Sequence, residues 1–223
     1  MKIAVMGTGT VGRALAGRFA ELGHDVTVGT RDVASTLARE PEQGESYTAW
    51  ARANPAVGLA SFADAAAGSE LNVNAASGQA AIEVLGAAGE GNLAGKVLID
   101  VSNPLDFSGG LPPTLSVKDT DSLGERIQRA FPEALVVKTL NTMNASLMAD
   151  PRRLAGGDHS VFVSGDDPDA KRTVADLLEQ MGHTDVVDLG DITTARGAEM
   201  VLPLWLRLFG AFGTAEFNFK VVR

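Results

Sequence analysis

Three glycines most constrain what this chain can fold into. Gly7, Gly9 and Gly12 spell GxGxxG directly after the apolar run Ile3 to Met6, at the head of a segment in which Val11, Leu15, Phe19 and Leu22 recur every three or four positions. A short continuous apolar run reads as a strand buried on both faces of a parallel sheet, and the spacing after it reads as an amphipathic helix. Gly23 stands where a left-handed glycine ends a helix, and Asp25 to Thr30 reads as a second strand. The whole fits within about thirty residues, the size of a right-handed βαβ unit. In that setting Gly7 serves a tight turn, Gly9 lets backbone approach a pyrophosphate, and Gly12 allows helix to pack on strand. Gly7, Thr8, Gly9, Thr10, Val11 and Gly12 are therefore candidates for holding a dinucleotide's pyrophosphate, helped by the partial positive charge of a helix N-terminus.

The end of the second strand distinguishes the two common dinucleotides. An acidic residue there accepts hydrogen bonds from a ribose 2′-hydroxyl and repels a 2′-phosphate. This chain has Thr30 and Arg31 instead, a hydroxyl and a guanidinium suited to a phosphate dianion, so NADP(H) is the expected cofactor. The alternative is a solvated Arg31 paired with Asp32.

Alternation of strand and helix signals continues along the chain. A short helix is expected over Tyr47 to Ala53, strands at Val57 to Ala60 and Leu71 to Ala75, a helix over Gln79 to Ala88, and a strand at Lys96 to Val101. A helix carrying Leu123, Ile127, Ala130 and Phe131 and a strand at Leu135 to Thr139 follow a glycine- and proline-rich loop. This predicts an α/β chain with a Rossmann-type doubly wound, mostly parallel sheet. Asp150, Pro151, Gly156, Gly157 and Asp158 suggest a junction, dividing the chain into a nucleotide-binding domain over residues 1–145 and a small α/β portion over 146–223 on the substrate side or at a dimer contact. In that portion strands are expected at Val161 to Val163 and Val186 to Leu189, with a helix ending at Gly182 between them. Ala198 to Phe209 is apolar almost all round, which predicts a helix buried in the core or in a homodimer interface.

Ligands of such sheets lie beyond the carboxyl ends of the strands, where the strand order reverses. That rule adds three loops: Asn74, Ala75, Ala76 and Ser77; Ser102, Asn103 and Pro104, opening a long loop to Lys118; and Asn141 to Asn144. Small residues and amides there suit a nicotinamide ring and its carboxamide, although the same residue types also favour ordinary turns. Phe107, Trp205 and Phe209 are read as core aromatics, with a planar substrate as the alternative.

Composition narrows the chemistry. The formal net charge of −9 disfavours nucleic acid and acidic membrane surfaces. The chain has no cysteine and only three histidines, His24, His159 and His183, too far apart for a metal-ligand pattern. His24 and His183 each follow a helix-ending glycine, and no catalytic side chain is assigned. The opening MKIAVMGTG lacks a signal-peptide core and no apolar stretch suffices to span a bilayer, so a cytoplasmic location is expected. HExxH, GxSxG and the Walker loop are all absent, which argues against hydrolysis and phosphoryl transfer.

KIAVMGTGTVGRALA, LGHDVTVGTRD, KVLIDVSNPLDFSGG, VVKTLNTMNA and DLGDITTARGAEMVLPLWLRLFG together resemble the coenzyme F420-dependent NADP oxidoreductases. The opening motif alone is also similar to pyrroline-carboxylate reductases and the cytosolic domains of ferric reductases. The resemblance implies hydride transfer between nicotinamide C4 of NADPH and C5 of a deazaflavin, coenzyme F420, with the glycine loop, Thr30 and Arg31 at the NADP-binding positions. Two other readings remain at this stage: a reductase of a flavin, an imine or a ferric chelate, and a non-catalytic NADP(H)-sensing module.

Overall fold

The computed structural model describes residues 1–41 and 44–223. Five parallel strands of the nucleotide-binding half are β1 (Lys2–Met6), β2 (Asp25–Thr30), β3 (Val57–Ser61), β4 (Leu71–Asn74) and β5 (Val97–Asp100). Their helices are α1 (Thr10–Glu21), α2 (Val33–Ala38), α3 (Tyr47–Ala53), α4 (Phe62–Gly68), α5 (Ala81–Ala88) and α6 (Glu90–Leu93). Then come a small hairpin of β6 (Leu105–Asp106) and β7 (Thr114–Leu115), α7 (Leu123–Ala130) and β8 (Leu135–Thr139). The rest comprises α8 (Ala145–Ala149), β9 (Ser160–Ser164), α9 (Pro168–Met181), β10 (Asp185–Gly190), α10 (Ala195–Met200) and α11 (Leu202–Phe212).

Eight strands form one sheet in the order β10-β9-β8-β5-β4-β1-β2-β3. All its neighbours are parallel except β8 and β9. The order reverses at β1, between β2 and β4, which is the doubly wound arrangement expected from the sequence. Strands on both sides of residue 145 thus share one sheet.

Alternation along β1 shows why both faces must be covered. Ile3 and Val5 enter a core with Leu15, Phe19, Val26 and Val28, whereas Ala4 and Met6 enter a second core with Phe62, Ala65, Leu85 and Ile127. α1, α8 and α9 cover the first face and α4, α5 and α7 the second. Gly23 takes φ +85° just past α1, and Gly182 is left-handed after α9, as their positions predicted.

Three elements depart from expectation. α2 forms in a polar, alanine-rich stretch where no helix was expected, because Asp32 caps it, accepting from Ser35 N at 2.6 Å. α4 is alanine-rich with little periodicity, but Ser61 accepts from Asp64 N at 3.1 Å and donates to Asp64 Oδ2 at 2.6 Å, a local start signal. The long apolar helix is split at Val201, with Pro203 in the first turn of α11, and it is not a core helix. Leu202 is buried, but Leu204, Phe209 and Phe212 are 54%, 45% and 58% exposed.

Candidate functional site

β1 ends at the crevice where the strand order reverses, and the turn after it has no room for side chains. At Gly7, with φ +129°, a Cβ would stand 2.7 Å from Ala75 O, and at Gly12 it would stand 2.0 Å from Gly7 O. The glycine loop is thus pressed on the loop after β4, and α1 on the turn itself. Gly9 differs: a Cβ there would meet nothing within 4 Å, and its φ of −74° is open to any residue. The folded chain makes no demand for glycine at this position, whereas a ligand approaching the backbone would. Gly9 is the N-cap of α1 and provides no side-chain cap, the first turn carries no acidic residue, and Thr8 and Thr10 flank it. These features suit a bound diphosphate.

Thr30 and Arg31 follow on the neighbouring strand. Thr30 is buried, and its Oγ1 lies 2.7 Å from Thr36 Oγ1, so its hydroxyl ties β2 to α2. Hydrogen bonds from Ser35 hold the Asp32 carboxyl below its ordinary range. Arg31 does not pair with Asp32; its Nη2 lies 3.0 Å from Glu83 Oε1 on α5.

Beyond the glycine loop lies a cavity of about 410 Å³. Val11, Ala75, Ala76, Ser77, Asn103, Asn141 and Asn144 line it, so the three loops selected from sequence meet there. Pro104 is buried and is not in its wall; its carbonyl accepts from Ser116 N at 2.8 Å. The amide groups expected to face a nicotinamide carboxamide are largely engaged within the protein. Asn141 Nδ2 donates to Asn103 Oδ1 at 3.0 Å and to Ala198 O at 3.0 Å, and Asn103 Nδ2 donates to Asn141 O at 2.9 Å. Asn144 caps α8 through Leu147 N and donates to Ala215 O. The rest of the wall is mainly apolar, with Met143, Met148, Leu202, Trp205 and Leu206 on the far side. Among the described residues, no side chain lining this cavity is an acid, a base or a histidine.

The aromatic residues read as core packing lie elsewhere. Phe107 and Trp205 line the cavity, and Trp205 stacks on both Phe209 and Phe217, with centroids 5.7 and 5.1 Å away. Trp205 Nε1 is buried with no partner among the described residues.

Sequence reasoning missed a charged cluster beneath this cavity. Lys138 on β8 is fully buried, its Nζ 2.7 Å from Asp100 Oδ2 and 2.9 Å from Glu199 Oε1, and it also donates to Ser102 O. All three ammonium protons thus have acceptors. Burial pulls the Lys138 pKa down, but the attraction of Asp100 and Glu199 outweighs it and the pKa rises above its ordinary value. Asp100 Oδ1 also accepts from Asn74 Nδ2 at 2.8 Å and Ser102 Oγ at 2.6 Å. Glu199 accepts from the first backbone N–H groups of α7, Leu123 N at 2.8 Å and Gly124 N at 3.0 Å. The cluster therefore joins the floor strands β5 and β8 to α10, which leads directly into the wall helix α11. A signal existed: each of these charges interrupts an apolar run, in VLIDV, LVVKTL and GAEMVL.

The histidines lie outside the cavity wall. His183 Nε2 is 3.1 Å from Met148 O, and burial pushes its pKa down to about 4. His159 is held between Pro151 O at 3.1 Å and Asn218 Nδ2 at 2.7 Å.

A family model described as NADP oxidoreductase, coenzyme F420-dependent, matches residues 2–104. The F420-dependent NADP reductase of Methanothermobacter marburgensis is 30% identical over 213 residues, covering 93% of this chain and 92% of that protein. Metalloreductase STEAP3 of Rattus norvegicus is 30% identical over 221 residues, 92% of this chain, which spans only 38% of that protein's length. A crystal structure of a proposed F420-dependent NADP-reductase from Arthrobacter sp. FB24 is 66% identical, covers all of both chains, and superposes with a TM-score of 0.97.

Proposed function

From its membership of the coenzyme F420-dependent NADP oxidoreductase family, to which this chain belongs, we propose that it catalyses hydride transfer between NADPH and a deazaflavin. The observation that carries this reading is a largely apolar cavity, at the reversal point of the sheet, whose described lining holds no acid, base or histidine. Transfer of a hydride between two stacked rings needs close approach and exclusion of water more than a side-chain proton donor.

Each residue group then has a task. The first-turn backbone N–H groups of α1, with Gly9 leaving space above them, would hold the diphosphate, and Arg31 the 2′-phosphate. Thr30 keeps the end of β2 in place through Thr36. Val11, Ala75, Ala76 and Ser77 form the wall nearest the glycine loop, and Asn103 and Asn141 lock two loops together behind it. Met143, Met148, Leu202, Trp205 and Leu206 offer a flat ring an apolar seat. When bound here, the nicotinamide would supply or accept the hydride at C4, and a deazaflavin would be its counterpart at C5.

The deciding experiment mixes purified protein with NADPH and oxidised deazaflavin and follows the deazaflavin absorbance. NADPH-dependent bleaching is expected. Turnover of a flavin, an imine or a ferric chelate with no deazaflavin turnover would replace the acceptor, and tight NADPH binding without any turnover would point to a sensing module. Among the described residues no helix is long and apolar enough to cross a membrane. The exposed Leu204, Phe209 and Phe212 of α11, with Leu111 84% exposed, fit a homodimer contact, which light scattering would detect as twice the chain mass.

A further inference from the structure

Arg31 has a carboxylate on it that the nucleotide-binding task does not explain. Glu83 sits in the first turn of α5, after the β4 loop, while Arg31 directly follows β2. β1 lies between β2 and β4 in the sheet, so the Arg31–Glu83 pair links the two loops flanking the carboxyl end of β1. That is the edge of the crevice where the adenosine half of a dinucleotide belongs. The pair's side chains are 76% and 72% exposed, so water and salt screen it and it is cheaply broken.

We propose that Glu83 is a specificity-determining residue: it competes with the 2′-phosphate for Arg31 and so sets how strongly the site prefers NADP(H) over NAD(H). This rests on the reading that Arg31 holds that phosphate. A phosphate dianion has more charge and more acceptor oxygens than a carboxylate, so it displaces Glu83 from the guanidinium. The displaced carboxylate remains tethered within reach of the same cation and faces a dianion of its own sign. Both effects lower NADPH affinity. NADH carries a hydroxyl at that position, need not break the pair, and brings no added charge for Glu83 to repel. The carboxylate thus weighs against the phosphorylated cofactor alone, on a site whose arginine favours it.

The test measures NADPH and NADH dissociation constants by calorimetry for the wild type, Glu83→Gln, Arg31→Ala and the double variant, at low and high salt. Glutamine keeps the length and polarity of Glu83 and removes its charge; Glu83→Ala, at an exposed position, serves as a second variant. We expect Glu83→Gln to tighten NADPH binding by about two- to fivefold at low salt and to leave NADH essentially unchanged. The gain should shrink at high salt and mostly disappear when Arg31 is already alanine. An unchanged NADPH/NADH ratio, weaker NADPH binding in both Glu83 variants, or a full gain without Arg31 would overturn the proposal. If Arg31→Ala discriminates between the nucleotides and Glu83→Gln does not, only this inference falls. If the wild type binds no NADPH, the reading of the site falls with it.

Discussion

Lys138→Met tests the buried cluster under the cavity. The substitution keeps an unbranched apolar stem but removes the one cation between Asp100 and Glu199, all three side chains being essentially buried. Asp100 retains its bonds from Asn74 and Ser102, and Glu199 keeps those from Leu123 N and Gly124 N. Two carboxylates that shared a cation are then left facing each other without one. Removing one partner of a buried ion pair costs about 3–5 kcal/mol, and that is the loss expected near pH 8 in urea unfolding. Adding Glu199→Gln removes one of the stranded charges and should recover much of the loss. No deficit at pH 8, or no recovery in the double variant, would refute the account.

Replacing Arg31 by alanine should weaken NADPH binding by about 1.5–3 kcal/mol in calorimetry and leave NADH nearly unchanged. Gly9→Ala should melt within a few degrees of the wild type, since its Cβ meets nothing, yet bind NADPH far more weakly; Gly12→Ala, facing Gly7 O at 2.0 Å, should lose on the order of 3 kcal/mol of stability or more. His183, with its pKa lowered from 6.5 to about 4, is neutral when folded at neutral pH, while the unfolded chain takes up a proton below about 6.5. Stability should consequently fall between about pH 6.5 and 4, by on the order of 3 kcal/mol from this group, and NMR should show the His183 ring untitrated at pH 5.5.

The parts of the fold that were legible in sequence are those with a strong period. β2 and α3 fall on their expected bounds, and α1 follows its Val11, Leu15 and Phe19 stripe, because burial on one or both faces writes itself into spacing. α4 was not legible because alanine packs well without producing contrast, and only the Ser61–Asp64 start signal marks it. The glycine loop was legible because steric exclusion at Gly7 and Gly12 permits one residue type. The far wall of the cavity was not, since Leu202, Trp205 and Leu206 are ordinary apolar residues whose role depends on where α11 lies. The ion cluster was hardest to see: Asp100, Lys138 and Glu199 are distant in sequence, and only folding brings a cation and two anions together.

A Cβ at Gly78 would stand 2.0 Å from Asn103 O and 2.6 Å from its carbonyl carbon, so the loops after β4 and β5 meet main chain to main chain. Neither loop can move towards the other, or accept a side chain at residue 78, without displacing its neighbour and the cavity rim that both form. On the proposed function, variation that tunes the acceptor has a freer outlet in α11, which contributes Leu202, Trp205 and Leu206 to the wall.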